Sequence, residues 1–543
     1  MLITSSADDR EQGELRVRPG DDLAIPDLTL PEFILARGQA RNQRPALIDA
    51  ATGRTVTFDE LAIDVRRVGA GLAAHGVGPG DVVALCAANS IEFVVTWYAA
   101  SAIGAIVTTL NPVLASEEMT HLLRQVSARW LVTSAELFEA KLSRCASAAG
   151  VRHTVVFDSG DRTPVGAFPF QGLYDTVPGA ASAGAGHREV AFMPFSSGTS
   201  GFPKSVVLTH RNLVASLCQM LPVQGVTADD VVVAVLPLYH LFAFQVTLNL
   251  SLTQGATVVL LRRYELDAFL STVQEFSVTR AELVPPILYA LAKNDRVEDF
   301  DLSSLRVLMV GAAPLDEKLA RDCATRLGCR VKQGYGMTEL GGCSHIAPDE
   351  GPDKPDSIGP MLPGVDCRVI DAATGADVGH GEPGELLVRC AAAMDRYHDN
   401  PTATAMAIDL EGWLHTGDIV TVDDDGWFRV TGRIKELIKY KGFQVAPAEL
   451  EGLLLTHPAV ADIAVVPSPD EIAGEVPKAF VVLRAAASAD ELMGWVGERV
   501  APYKRIRRME FIDAIPRSPA GKILRRILVE RECAASSGDH RGE

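Results

Sequence analysis

An α/β body, in which a large N-terminal domain of helix-covered sheets contains a small β subdomain and is followed by an α+β C-terminal domain, is the fold class that the sequence predicts. Three observations carry it. Short β-branched runs alternate with longer amphipathic stretches, the mark of parallel strands joined by helical crossovers. A length of 543 residues, at roughly 150 per domain, asks for about three or four structural units. The texture of the chain changes twice, at about Ile358 and after Arg433.

Taken in order, Phe58 to His75 has helical spacing. Val82 to Cys86, Gly104 to Thr108, Trp130 to Thr133, Thr154 to Phe157 and Thr257 to Leu260 are short and rich in Val, Ile and Thr, and read as buried strands. Two uncharged stretches, Phe93 to Ser116 and Val231 to Leu261, raise the question of a membrane span. Turn chemistry breaks both, through Gly104 and Asn111-Pro112 in the first and Pro237, His240 and Gln254-Gly255 in the second. Helix and strand in a buried core is the reading that follows. Pro178 to His187, PGAASAGAGH, is expected to be a linker within the large lobe. From Ile358 to about Val430, short strands and turns such as Gly381-Glu382-Pro383-Gly384 predict an all-β subdomain. The expected division is therefore 1–433, with the β subdomain at about 358–430, and 434–543. Helices are expected there at Ala448 to Leu455 and Ala489 to Val500, and a polar tail without order from Ala534 to Glu543.

Composition narrows the function classes. Hydrophobic residues at 47% and charged residues at 22% describe a folded globular protein. Lys+Arg 51 against Asp+Glu 69 gives −18, a charge that repels phosphate backbones and anionic lipid, so nucleic acid is not an expected partner. Nine cysteines without a Cys-x-x-Cys pair argue for a reducing cytoplasm and against zinc. The first residues have no basic region and no apolar core of a secretory signal.

The most informative run is Ser196-Ser197-Gly198-Thr199-Ser200-Gly201-Phe202-Pro203-Lys204-Ser205, which follows the apolar strand around Ala191 to Met193. Its glycines let backbone N–H groups approach an anion, its hydroxyls add donors, and Lys204 adds positive charge, so a polyphosphate is the expected ligand. The common nucleotide loop G-x-x-x-x-G-K-[ST] fails on spacing, because the glycines here stand three apart and Phe-Pro precedes the lysine.

With this loop the chain resembles the adenylate-forming superfamily of acyl-CoA synthetases, luciferases and peptide-synthetase adenylation domains, and within it the 4-coumarate:CoA ligases. The resemblance runs from Thr55 to Lys522 through several separate motifs. Ser200, Phe202 and Ser205 depart from the usual loop, and Ser205 replaces a glycine whose freedom helps the loop move. Val310-Gly311-Ala312-Ala313-Pro314-Leu315 is similar to the adenine-side turn, and Gln333-Gly334-Tyr335-Gly336-Met337-Thr338-Glu339 to the central motif. The resemblance implies that Ala312, Gln333, Gly334 and Tyr335 meet AMP, with Tyr335 stacked on the base, that Thr338 bonds the α-phosphate, and that Glu339 holds Mg²⁺. It makes Asp418, in Trp413-Leu414-His415-Thr416-Gly417-Asp418, the ribose ligand, Arg433 a second ribose or phosphate contact, and Lys435 the hinge of a mobile C-terminal domain.

The implied reaction has two halves. A carboxylate is a poor electrophile and first takes AMP from ATP, with positive charge offsetting the repulsion between anions. Lys522, in Ser518-Pro519-Ala520-Gly521-Lys522, matches the adenylation lysine. For transfer to CoA, the family pattern assigns Lys439 and Gln444 to catalytic or AMP contacts, Arg263, Lys441 and Gly442 to CoA, and His240 to the acyl carboxylate and thiol tunnel. Phe242 and Val246 stand where coumarate ligases carry a tyrosine and a serine. With Gly336, Gly342 and Cys343 as further lining, only the Cys343 thiol is left to meet a ring hydroxyl, so an aryl or fatty acid without a 4-hydroxyl is expected. The alternatives are an enzyme that loads a carrier protein's pantetheine arm and a luciferase-like oxidase.

Overall fold

A computed structural model of the chain describes residues 23–38, 43–158, 160, 162–176, 186–196, 203–313, 315–440, 443–470, 473–500, 502–517 and 522–538. The expected strands at 82–86, 130–133, 154–157 and 257–260 form within a residue of their bounds, while Gly104 makes a turn at φ +85° and its strand begins at Ile106. Helix Phe58–Ala74 opens on a capping box between Thr57 and Glu60.

Two large sheets organise the N-terminal part. The first has eight strands in the order Gly342–Ile346, Arg330–Met337, Val307–Val310, Arg280–Leu283, Val231–Ala234, Thr257–Leu260, Pro45–Asp49 and Thr55–Thr57. The six between its two edge strands run parallel, and the edges pair antiparallel. The second has nine strands, with a parallel series running from Val190–Phe192 through Ile106–Thr109, Val82–Cys86 and Trp130–Ser134 to His153–Phe157 and Phe168–Pro169.

Helix Ile91–Ala102 explains the first uncharged stretch. Past Glu92 it carries no charge, and ten of its twelve residues are buried, which suits a helix enclosed by protein. Trp97 on it meets Phe192 at 5.6 Å and Phe244 at 4.4 Å between ring centroids, joining the two halves in one core. The second stretch becomes strand 231–234, a π-helical segment Ala243–Asn249, helix Leu250–Gln254 and strand 257–260. Among the described residues no helix is long and apolar enough to cross a membrane. One buried side chain, Asn89, bridges the sheets: its amide nitrogen donates to the carbonyls of Ala234, Leu236 and Leu261, and its oxygen accepts from the N–H of Leu238.

The β subdomain needs correction. Its four-stranded antiparallel sheet runs from Val365 to Arg433, three residues past the expected end, and the region also contains helix Pro401–Ala407. Strand Arg396–Tyr397 leaves it to pair with Lys204–Thr209 of the nine-stranded sheet. Beyond Ile434 a five-stranded sheet is covered by helices Pro447–Leu455 and Ala489–Gly497 around one core and by Arg525–Gly538 around another. The second of these helices ends three residues early, and the last continues through five residues expected to lack order. Most of the expected linker, 178–185, lies outside the described residues.

Candidate active site

Antiparallel register builds the centre of the site. Pairing of Leu414–Val422 with Phe428–Arg433 sets Asp418 directly opposite Arg433. Arg433 Nε donates to Asp418 Oδ1 at 2.5 Å, and the Tyr335 hydroxyl, from the end of strand 330–337, donates to Oδ2 at 2.6 Å. Burial first, and the Asp418 charge second, push the Tyr335 phenol well above its ordinary range, so it stays a donor. The same tyrosine ring meets the edge of His345 at 5.9 Å. Gln333 donates to the Pro355 carbonyl at 2.6 Å.

Glu339 and the phosphate loop are joined by a residue that the motifs do not reveal. Tyr397 donates to Glu339 Oε1 at 2.8 Å, and Lys204 Nζ stands 4.7 Å from the centre of its ring. The Tyr397 phenol also interacts with the Ser196 hydroxyl. Thr338 opens the short 3₁₀ turn that carries Glu339. Ser205 departs from the expectation of a loop residue, being the buried second residue of strand Lys204–Thr209 with an Oγ that has no partner among the described residues. Ser197, Gly198, Thr199, Ser200, Lys441 and Gly442 lie outside the described residues.

Lys522 reaches this centre from the C-terminal unit. Its segment is held on both sides, by a bridge between Arg517 and Ile523 and by Arg525, whose Nη2 donates to both oxygens of Glu451 at 2.8 and 2.7 Å. Arg525 also pairs with Glu436 at 3.4 Å, in the turn Ile434–Glu436 that contains Lys435. Although Lys522 keeps access to solvent, crowding in the cleft and then the Arg433 charge push its ammonium pKa down, against the pull of Asp418, Glu339 and Glu436. The His240 imidazole is lowered to about 4, by burial first and by Lys522 second.

Lys439 and Gln444 stand opposite each other in the hairpin of 438–440 and 443–445. The Lys439 N–H donates to Glu475 at 2.8 Å and its side chain is exposed. Arg263 is exposed on the large lobe and pairs with Glu265 at 2.6 Å.

The acyl-side residues do gather. Phe242 lies over Gly311, where a Cβ would come within 3.0 Å of its ring, next to Ala312 in the left-handed region at φ +70°. At Gly336 a Cβ would stand 2.0 Å from the Gly342 carbonyl, and at Gly342 it would stand 2.4 Å from the Ser216 hydroxyl. Val246 is buried on the π-helical segment. Burial pushes the Cys343 thiol up to about 12.

Beneath them lies a polar floor. Register sets Glu282, Met309 and Lys332 in one row across three strands, and the Met309 methyl lies 2.1 Å from where a Cβ on Gly334 would stand. Lys332 donates to Gln224 at 2.7 Å and to Asp349 at 2.5 Å, and Arg280 donates to both Asp349 oxygens. Glu282 is buried, and the Thr247 hydroxyl beside it favours its charged form. Burial pushes the Glu282 carboxyl up to about 7, against Arg280 first, then Thr247 and Lys332. Cys343 is close enough to Glu282 and Lys332 for their charges to act on its thiol.

Residues 35–398 match the AMP-binding enzyme family, and 449–522 its C-terminal domain. The chain belongs to that family. Its relatives include 4-coumarate--CoA ligase 2 of Oryza sativa subsp. japonica, 41% identical over 93% of each chain, and 4-coumarate--CoA ligase 3 of Arabidopsis thaliana, 39% identical over 94% of this chain and 93% of that one. Among solved structures, the anthranilate CoA ligase AuaEII in complex with anthranoyl-AMP aligns at TM-score 0.87 and 27% identity, covering 94% of this chain and 98% of that one. ATP-bound MatB from Rhodopseudomonas palustris aligns at 0.84 and 26%, over 93% and 99%. As an AMP-binding enzyme close to 4-coumarate–CoA ligases, the protein has the large N-terminal and small C-terminal arrangement of adenylate-forming enzymes and falls among acid–thiol ligases.

Proposed function

We propose that the protein joins a hydrophobic carboxylic acid to CoA in two steps, through an acyl-AMP formed from ATP. The observation that carries this reading is the meeting of Lys522 with Asp418, Arg433, Glu339 and His240 in one cleft. Asp418 has lone pairs left for the vicinal hydroxyls of a ribose after accepting from Tyr335 and Arg433. Lys204 and Lys522 put positive charge where a carboxylate oxygen attacks the α-phosphorus and pyrophosphate departs. Thr338, which opens the turn that carries Glu339, bonds the α-phosphate in this reading. Glu339 fits a magnesium ion by donor chemistry, being a buried carboxylate at the phosphate side. Such an ion would supply neutralising charge there.

In the second step the CoA sulfur attacks the acyl carbon, the bond to the phosphate oxygen breaks, and AMP leaves. Neutral His240 is free to take the thiol proton. Lys439, Gln444, Lys441 and Gly442 belong to this step on a C-terminal unit, 434–543, that turns about Lys435, and exposed Arg263 offers charge to the CoA phosphates. The expectation of an acid without a 4-hydroxyl rests on Phe242 and Val246, and the substrate in the relatives' names does not support it.

Lys522→Ala is expected to slow acyl-AMP formation by about 10²-fold or more while sparing thioester formation from supplied acyl-AMP; Lys439→Ala is expected to do the reverse. Equal losses in the two half-reactions would refute the division. Pyrophosphate release across a panel of acids, with and without CoA or a carrier protein, identifies the acid and the acceptor.

A further inference from the structure

Strand register decides what Lys204 meets. In strand Lys204–Thr209, Lys204 and Val206 share one face, and Val206 stands opposite Tyr397 in the antiparallel pair with Arg396–Tyr397, so the tyrosine ring falls on that face, one step along from the lysine. Backbone hydrogen bonds fix the short strand on both sides. The N–H of Asp395 donates to the Val207 carbonyl at 3.1 Å, that of His398 to the Ser205 carbonyl at 2.9 Å, and that of Tyr397 to the Thr404 hydroxyl at 3.0 Å. Just before them, the Met394 N–H donates to the Glu339 carbonyl at 2.7 Å. The segment is thus tied both to the strand that leaves the phosphate loop and to the turn that carries Glu339. From it Tyr397, only 7% exposed, sends its hydroxyl to Glu339 Oε1 and turns its ring face to the Lys204 ammonium. Ser196, which register places opposite Lys204, meets the same phenol.

An ammonium and a buried carboxylate that touch one side chain would ordinarily join each other, and the pair would cancel the two charges that a nucleotide and its cation need. Here the tyrosine stands between them. Among the described residues, Lys204 has the Tyr397 ring as the partner of its ammonium, and Glu339 accepts its one side-chain hydrogen bond from the Tyr397 hydroxyl. A ring face holds a cation without committing a negative charge to it, and a neutral donor on Oε1 leaves the carboxylate its full charge. We propose that Tyr397 is a positioning residue for adenylation that keeps Lys204 and Glu339 apart and ready: its ring holds the ammonium for the ATP phosphates, and its hydroxyl orients the carboxylate for the divalent cation that accompanies them. This deepens the ligase reading above and rests on it.

Calorimetric titration of ATP, in EDTA and again with stepwise magnesium, separates the two tasks in Tyr397→Phe and Tyr397→Leu, with a thermal melt of each. Tyr397→Phe keeps the ring and loses the donor. Its ATP affinity in EDTA is expected to stay within about twofold of the parent, while the magnesium needed for half of the full gain in affinity rises by about tenfold. Tyr397→Leu loses both and lets Lys204 fall onto Glu339, so its affinity in EDTA is expected to drop by about fivefold or more as the competent lysine becomes a minority. A Tyr397→Phe protein with the parent's magnesium requirement overturns the proposal. So do two variants that melt earlier yet bind ATP and magnesium as the parent does, for then the tyrosine only packs the strand. Equal losses of affinity in EDTA by both variants overturn it as well. If Tyr397→Leu does not fold, Tyr397→Phe decides alone through its magnesium requirement. A parent that binds no ATP overturns the ligase reading and this proposal together, whereas an ATP-binding parent matched by its variants overturns this proposal alone.

Discussion

Asp349 is a single side chain on which two buried cations depend. Burial alone would raise its carboxyl, but hydrogen bonds from Arg280 and the charge of Lys332 bring it to about 2. Asp349→Asn removes the carboxylate that both cations are hydrogen-bonded to and is expected to cost roughly 3–5 kcal/mol of stability, measured by urea unfolding at neutral pH. His240 gives a pH-dependent counterpart. Its folded value of about 4 lies below the ordinary 6.5, so the folded state binds its proton less tightly than the unfolded chain does. The stability linked to this group is present above 6.5 and is lost as pH falls toward 4, and His240→Gln is expected to flatten that part of the acid limb. A variant with the same slope as the parent would show that the imidazole is not held neutral.

The hairpin of Arg330–Met337 and Gly342–Ile346 shows how closely backbone can be packed when side chains are withheld. At Gly336 a Cβ would meet backbone, 2.0 Å from the Gly342 carbonyl and 2.8 Å from Cys343 Cα, and backbone cannot step aside as a side chain can. Gly336→Ala is expected to destabilise the protein by about 1–3 kcal/mol or more and to abolish adenylation, read as an earlier melt and absent pyrophosphate release. The glycines of this motif were legible in the sequence, as were the strands at 82–86 and 257–260, because local composition decides them. Tyr397 was not legible: Asp-Arg-Tyr-His reads as a turn in a β subdomain, and only pairing of 396–397 with strand 204–209 brings it to Glu339. The same long-range pairing took that strand out of the predicted all-β unit. Glu282 and Lys332 did leave a trace, since charges inside strands of a parallel sheet covered on both faces are rare enough to mark a polar cluster. What the sequence could not supply was which of them Asp349 would bind.

At the scale of the whole molecule, the C-terminal unit brings Lys522 to the charges of Asp418 and Glu339 while Lys439 is exposed on its hairpin, with Arg525 on Glu436 beside the turn at Lys435. Proline suits the first turn of a helix, where the N–H has no intrahelical acceptor, and it fixes φ. Lys435→Pro, in the short helix Ile434–Glu436, is therefore expected to keep the adenylation half-reaction near the parent rate and to lose thioester formation from supplied acyl-AMP. Parent rates in both would mean that rotation occurs elsewhere. No such turning is open to the two large sheets. With one amide, Asn89 holds Ala234, Leu236, Leu238 and Leu261 to the start of helix 91–102, and Trp97 of that helix packs on both halves. Sliding one sheet past the other would leave four backbone groups and a buried carboxamide without partners at once. The sheets accordingly open to hydrogen exchange as a single cooperative unit, so their slowest amides share one protection factor, while amides of the five-stranded sheet exchange on a clock of their own.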